Sequence, residues 1–157
     1  MAWSAHNNII DAAKWLYRKI ELIEEKDRRI RSAKPHNYYR GAIFDAELGM
    51  DNIGGERNKT RPVLIISSNR LNKGDVVVVI PLSTKFRNDS NNNALYKNHY
   101  VLHQSKYTFL DCDSALKIEN IRSIDTIRLR TYRGSLDLTD LLNLKNRILS
   151  TFGYWQK

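Results

Sequence analysis

Two short runs of β-branched residues constrain the fold of this chain more than any other feature. Residues 63–66 (VLII) and 76–80 (VVVVI) are continuously apolar, and the polar segment between them contains Asn69, Asn72 and Gly74. Apolar runs of this length and composition, bounded by turn-forming residues, are typical of buried strands. The stretch therefore predicts two buried strands that are joined by a loop.

Polar side chains stand where each of these strands would end. Arg61 precedes the first run, and Ser83 and Thr84 follow the second. If the two strands pair antiparallel, these three side chains arrive at the same edge of the sheet. A guanidinium and hydroxyls that converge there, beside loops rich in lysine, would form a phosphate-binding site.

The N-terminal part of the chain predicts a helix. Residues 8–31 contain no Gly or Pro, and branched aliphatic residues recur every seven positions at Ile9, Leu16, Ile23 and Ile30. This spacing predicts an amphipathic helix with a charged outer face.

The predicted helix carries more apolar surface than one groove would bury, because Trp15 and Tyr17 lie off its main stripe. We interpret it as a docking or coiled-coil helix without a catalytic role. Self-association or a partner protein is expected to use the excess apolar surface.

A linker with Pro35 separates this helix from the rest of the chain, so we divide the sequence into residues 1–34 and a globular domain at 35–157. The domain predicts a mainly β fold with helices, in which a small, bent antiparallel sheet or barrel carries its helices on the outside. Further strands are predicted within residues 38–48, at 99–102 and at 114–118, and a last helix is capped by Asp137 or Thr139 and ended by Gly153.

Composition narrows the partners and the compartment. Lys and Arg total 26 against 17 Asp and Glu, a net charge of +9, which favours a polyanion such as nucleic acid, although solubility alone is an alternative explanation. The single cysteine, Cys112, cannot form an intramolecular disulfide, and no Cys or His pair has zinc-site spacing, so no metal is expected. No apolar run reaches the length of a membrane span. These features predict a cytoplasmic protein that does not bind membranes.

Six segments in a fixed order carry a family resemblance: residues 40–44 (RGAIF), 54–56 (GGE), 60–66 (TRPVLII), 77–84 (VVVIPLST), 113–116 (DSAL) and 119–125 (ENIRSID) with Arg128 and Leu129. Together they resemble the MazF/PemK family of toxin endoribonucleases. The similarity runs from about Tyr39 to the last helix and leaves the first helix uncovered. It implies an SH3-like β-barrel of the CcdB/MazF/PemK type with attached helices, usually a homodimer.

The resemblance also implies an activity. Such toxins cleave single-stranded RNA at short sequences without a metal or another cofactor. A cognate, MazE-like antitoxin blocks them by laying an extended segment and a helix across the RNA groove.

The same resemblance assigns the site residues. Arg61 matches the catalytic arginine before the proline, and Ser83 matches a catalytic hydroxyl that is more often threonine. Lys117 and Glu119 match a basic and an acidic position that are implicated in cleavage or RNA contact in some members. Two further matches are Glu56, an acidic residue in the loop before the arginine, and Asn120, where a glutamine is common.

Metal-free cleavage uses the ribose 2′-hydroxyl as the nucleophile. We assign Arg61 to the transition-state charge and Ser83 to the scissile phosphate, whereas Glu119 is a proton acceptor only if it lies close and its pKa is perturbed. The remaining candidates for RNA contact are Arg57, Lys59, Thr84 and Lys85.

Three alternatives or exclusions accompany this hypothesis. The same fold could serve as a non-catalytic binding module, either a gyrase poison like the CcdB group or an RNA-binding protein, although retention of Arg61, Ser83 and Glu119 argues against a decayed site. The leading helix could instead occlude the groove or recruit further subunits. The four histidines do not group with a carboxylate or serine in the sequence, so we do not expect a histidine-based ribonuclease.

Overall fold

A computed structural model describes residues 2–32, 37–49, 59–91 and 93–154 of the chain. The described residues form a seven-stranded sheet with a helix at each end of the sequence. In chain order the elements are α1 (Ala2–Ser32), β1 (Ala42–Glu47), β2 (Thr60–Ile65), β3 (Val76–Ser83), β4 (His99–Leu102), β5 (Ser114–Lys117), β6 (Arg122–Asp125), β7 (Leu129–Ser135) and α2 (Leu138–Thr151). The predicted mainly β fold with two helices is confirmed.

Strand β3 is the centre of the sheet. It pairs antiparallel with β2 along one side, and with β6 and then β5 along the other. The path through the sheet is β4-β5-β3-β2-β1-β7, with β6 attached to β3 beside it. The two predicted apolar strands therefore do pair antiparallel. Both extend beyond their apolar runs, because Thr60 and Arg61 pair with β1 and the last residues of β3 pair with β5.

Strand β1 is shorter than the segment predicted for it. It begins at Ala42 because a turn at Arg40 and Gly41 precedes it, and Gly41 has a φ of +92°, a conformation that favours glycine. The Gly41 amide donates to the Ile65 carbonyl, and its carbonyl accepts from Leu136. The turn thus ties the entry of β1 to the end of β2.

Alternate residues of the strands enter two apolar clusters, as the two-residue period of a strand requires. Helix α2 covers one of them with Leu144, which is buried. The cluster under α2 includes Ile43, Leu64, Ile80, Leu82, Leu102, Leu116 and Ile118. The second cluster includes Phe44, Val63, Ile65, Val77, Val79, Ile124 and Leu129.

Helix α2 has both predicted end signals. The Asp137 carboxylate accepts a 2.8 Å hydrogen bond from the Asp140 amide, so Asp137, not Thr139, is the cap. Gly153 adopts a φ of +75°, and the Tyr154 amide donates to the Leu149 carbonyl at 2.8 Å. This bond satisfies a carbonyl at the helix end.

Helix α1 docks on the outside of the sheet. Trp15 and Leu22 are buried against it, and Arg128 stacks over the Trp15 ring at 5.3 Å. Arg18 donates to both carboxylate oxygens of Glu47, at 2.8 and 2.9 Å. The helix starts six residues earlier than predicted, at Ala2, because residues 2–7 contain no Gly or Pro that would exclude a helix. No helix within the described ranges is both long enough and apolar enough to cross a bilayer.

Candidate active site

The ends of β2 and β3 bring Arg61 and Ser83 together. Val63 pairs with Pro81, so continuing the antiparallel register by two residues sets Arg61 across from Ser83. Both residues line a cavity of about 140 Å³, and Thr84 lines it as well. The predicted convergence of these three residues at one edge is confirmed. The cavity is completed by Pro62, Leu82, Leu110, Asp111, Cys112, Ser114 and Arg133.

The Ser83 hydroxyl is fixed by the turn that follows β3. Its Oγ accepts from the Lys85 amide at 3.2 Å and lies 3.3 Å from the Lys85 carbonyl, to which it donates. Ser83 is buried, whereas Thr84 and Lys85 are exposed. The hydroxyl is therefore held in place at the cavity, and a basic side chain stands in solvent two residues beyond it.

Arg133 adds a second guanidinium to the cavity. Its Nε donates to the two carboxylate oxygens of Asp45 at 2.9 and 3.0 Å, and its Nη1 donates to Asp111 at 3.3 Å. The hydrogen bond with Asp45, ahead of the one with Asp111, raises the pKa of Arg133. The sequence reasoning missed Arg133, because its place at the cavity depends on β7 lying beside β1 and no motif marks it.

A second polar cluster lies on β4 and β5. Lys117 is buried, and its Nζ lies 3.0 Å from Nε2 and 3.2 Å from Nδ1 of His99. Nε2 of His99 lies 3.1 Å from Oε1 of Glu119, and the side-chain amide Nδ2 of Asn98 donates to Oε2 of Glu119 at 2.8 Å. Glu119 is exposed, so a ligand can reach its carboxylate.

This cluster corrects the expectation that no histidine groups with a carboxylate. His99 contacts Glu119, and Nδ1 of His103 lies 3.0 Å from Oδ2 of Asp113. Neither pair could be recognised in the sequence, because the two members of each pair are 20 and 10 residues apart. The β4–β5 register, which pairs His99 with Lys117 and Leu102 with Ser114, brings them together.

The cluster and the cavity share one face of the sheet. Ala115 pairs with Ser83, and Lys117 lies two residues further along β5. Because side chains two residues apart point to the same face, Lys117 follows Ala115 there at a spacing of about 7 Å. Lys117 and Glu119 are not among the residues that line the cavity. The candidate residues thus fall into two neighbouring groups.

The remaining candidates lie around these groups. Lys59 is exposed directly before β2, with a φ of 67°, and Asn120 ends a 3₁₀ turn after β5. The expectations for Glu56 and Arg57 concern positions outside the described residues. Within the part of the chain that the structure describes, no three His, Cys, Asp or Glu side chains are grouped as a metal site would require.

Comparison with known proteins gives consistent matches. Residues 39–152 match the family model described as PemK-like, MazF-like toxin of type II toxin-antitoxin system. A protein named endoribonuclease MazF, from Staphylococcus epidermidis, is 30% identical over 114 residues, which are 73% of this chain and 90% of that protein. Helix α1 lies outside the residues that the family model matches.

Two solved structures share the fold. MazF from Deinococcus radiodurans covers 75% of this chain and 98% of its own at a TM-score of 0.60 and 16% identity. An endoribonuclease in complex with its cognate antitoxin, from mycobacterial species, covers 76% and 99% at a TM-score of 0.58 and 20% identity. The expected barrel type is therefore confirmed, and the chain belongs to the PemK-like, MazF-like toxins of type II toxin–antitoxin systems.

Proposed function

We propose that this protein is an endoribonuclease toxin that cleaves single-stranded RNA at short sequences by attack of the ribose 2′-hydroxyl. The observation that carries the proposal is the pairing of Arg61 with Ser83 at one cavity, inside the region that matches the toxin family. A guanidinium and a fixed hydroxyl are suited to the non-bridging oxygens of a phosphodiester.

The reaction needs four contributions from the protein. The 2′-oxygen must be aligned with phosphorus and lose its proton, the phosphorane must be stabilised, and the 5′-oxygen must gain a proton as its bond to phosphorus breaks. Arg61 takes the charge of the phosphorane, and Ser83 turns its hydroxyl proton from the Lys85 carbonyl to the scissile phosphate. The products carry a 2′,3′-cyclic phosphate and a 5′-hydroxyl, so the reaction as proposed consumes no metal or cofactor.

Glu119 is the proton acceptor in this proposal. Arginine is a poor base because it stays protonated throughout the physiological pH range. Glu119 is exposed and is oriented by its contacts with His99 and Asn98. It lies in the turn directly after β5, the strand on which Ala115 pairs with Ser83. The attacking 2′-hydroxyl belongs to the ribose that carries the scissile phosphate, so the proposal requires bound RNA to place that ribose between the cavity and the Glu119 carboxylate.

Basic and polar residues around the two groups form the proposed RNA path. The exposed side chains of Lys59, Thr84 and Lys85 flank the cavity strands, and a net charge of +9 supports binding to a polyanion. Lys117 is buried against His99, so it positions that ring instead of binding a phosphate in solvent. Asn120, together with Glu56 and Arg57, completes the set of candidates.

The proposed partners follow from the family. A MazE-like antitoxin would cover the RNA path, in keeping with the mycobacterial relative that is described in complex with its cognate antitoxin. The working unit is a homodimer in the cytoplasm, in which residues 35–157 form the catalytic domain and residues 1–34 form an appended helix with its linker.

Mapping the cut ends on a defined RNA tests the proposal. In EDTA, wild-type protein is expected to leave 2′,3′-cyclic phosphate and 5′-hydroxyl ends, and Arg61→Ala to lose cleavage while it keeps its fold. Arg70→Ala, an exposed arginine in the loop between β2 and β3, is the matched control and should cleave normally. RNA that stays intact while it is bound normally, or growth arrest without cleavage, would instead indicate the non-catalytic binding module.

A further inference from the structure

Helix α1 has a second apolar face that the domain does not cover. Its side chains at Ile9, Leu16, Ile20, Ile23 and Ile30 are between 51% and 69% exposed. They lie about a third of a turn around the helix axis from the side that docks, which carries Trp15, Arg18, Leu22, Lys26 and Arg29. We call this exposed set the α1 stripe.

The spacing of the α1 stripe is that of a coiled coil. Leu16, Ile20, Ile23 and Ile30 fall on alternating steps of four and three residues, with Asp27 as the polar member of the series. A repeat of 3.5 residues keeps one seam facing a second helix along its whole length. A groove in a globular partner does not require that repeat, so the stripe fits another helix.

The described side chains of α1 show where the helix is held to the domain. Its 31 residues span about 46 Å. The aromatic and ionic contacts that hold it run from Trp15, under Arg128, to Arg29, which donates to Tyr38 at 3.1 Å. Along that stretch the side chains of the α1 stripe stay exposed.

The charges of α1 fit a second copy of the same helix. Residues 9–30 carry six basic and five acidic side chains, in contrast to the +9 of the whole chain. This balance does not attract a polyanion, and it does not repel an identical helix. In a parallel pair, Lys19 on one flank of the stripe faces Glu24 on the partner's opposite flank, twice by symmetry.

The area is sufficient for a specific contact. The exposed parts of the five apolar side chains amount to on the order of 500 Å² per chain, so two copies bury close to the roughly 1,000 Å² that a biological interface needs. We propose that the α1 stripe is a self-association surface, on which two copies of this toxin pair through their N-terminal helices. This contact is separate from the catalytic cavity and does not depend on the proposed RNA cleavage.

Glutamates in the stripe and single cysteines test the pairing in the full chain. Leu16→Glu with Ile23→Glu is expected to raise the dissociation constant of one association step at least tenfold in sedimentation velocity. Lys14→Gln with Arg28→Gln, at exposed positions off the stripe, makes the same change in net charge and is expected to leave that dissociation constant unchanged. Trp15 and Leu22 are untouched in both variants, so the docked face remains.

Cysteine crosslinking supplies the second measurement. In a Cys112→Ser background, a cysteine at position 16, 20 or 23 is expected to give disulfide-linked dimers at one or more of the three sites, and a cysteine at position 14 to give none above background. The proposal is overturned if none of the three stripe cysteines crosslinks more than position 14, or if the glutamate variant associates as tightly as wild type. It is equally overturned if that variant keeps its self-association and loses binding of the antitoxin, because the stripe would then hold a different helix.

Discussion

Lys117 buries its ammonium against the His99 ring, with Nζ 3.0 Å from Nε2 and 3.2 Å from Nδ1. The same ring lies 3.1 Å from the Glu119 carboxylate. A buried lysine next to an imidazole and a carboxylate holds all three groups in one arrangement. The exposed member, Glu119, is the one that a substrate can reach.

The first prediction concerns this carboxylate. Glu119→Gln keeps the size of the side chain and removes its capacity to take a proton, so kcat should fall by about 10²–10⁴-fold while KM changes little. Steady-state cleavage of a short RNA measures both parameters, with Glu24→Gln on α1 as the control. An unchanged kcat with a raised KM would show that Glu119 binds RNA without accepting its proton.

The second prediction separates the catalytic role of the Ser83 hydroxyl from its structural role in the turn after β3. Ser83→Thr keeps an oxygen that can bond the Lys85 backbone and the phosphate, so it should retain most activity. Ser83→Ala should lower kcat/KM by about 10²–10³-fold, the typical effect of removing one donor to a developing charge. Thermal melting of both variants shows whether the turn survives. Equal activity of the two variants would remove the hydroxyl from the mechanism.

Alkaline stability gives a third prediction. Tyr100 donates to Asp140 at 2.6 Å, and Tyr107 also donates to Asp140. Burial, together with these bonds, raises the pKa of both tyrosines to about 12. Because the folded pKa exceeds the unfolded value of about 10, the stabilisation is complete below pH 10 and is lost as the pH rises toward 12.

Urea unfolding between pH 8 and pH 12 measures this loss. The double variant Tyr100→Phe/Tyr107→Phe should be less stable at pH 8, and its unfolding free energy should fall less steeply with pH than that of wild type. Tyr154→Phe, at an exposed position, serves as the control. Equal slopes for the double variant and wild type would contradict the assignment.

A fourth prediction concerns the packing beside the cavity. A Cβ added at Gly134 would overlap the ring of Phe109, which packs against the core under α2. Gly134→Ala should therefore destabilise the protein by about 1–3 kcal/mol. At Gly74 the nearest atom to such a Cβ is the Leu71 carbonyl oxygen at 3.5 Å, so Gly74→Ala should change stability by less than about 0.5 kcal/mol.

Chemical denaturation distinguishes the two glycines. Phe109→Leu in the Gly134→Ala background should restore part of the loss, because the two sites share one contact. Similar losses of unfolding free energy in Gly134→Ala and Gly74→Ala would mean that the effect comes from the glycine backbone and not from overlap with the Phe109 ring.

The sequence predicted those parts of the site that depend on where strands end. Arg61 and Ser83 border the two most apolar runs, and any antiparallel pairing of these runs brings them together. His99 and Glu119 could not be paired in advance, because the register between β4 and β5 is a tertiary property. Arg133 was missed for the same reason, since β7 reaches the cavity by lying beside β1.

For the helices, too, local features could be predicted from the sequence and tertiary contacts could not. The Asp137 cap and the Gly153 terminus of α2 are local signals and were read directly from the sequence. The seven-residue repeat of α1 predicted an amphipathic helix, but not that Trp15, off the main stripe, would be the docked residue. That choice depends on Arg128, in the 3₁₀ turn before β7, and on Glu47 of β1, both distant in sequence.

The cavity is lined by residues from distant parts of the chain, and this has a consequence for synthesis of the toxin. The walls of the cavity come from β2, β3, the loop before β5 and finally β7, which supplies Arg133. A ribosome that has not yet added residue 133 therefore carries a chain with an incomplete cavity. The strands that carry Arg61 and Ser83 are made early, but the cavity wall is completed only when β7 is added, close to the end of translation.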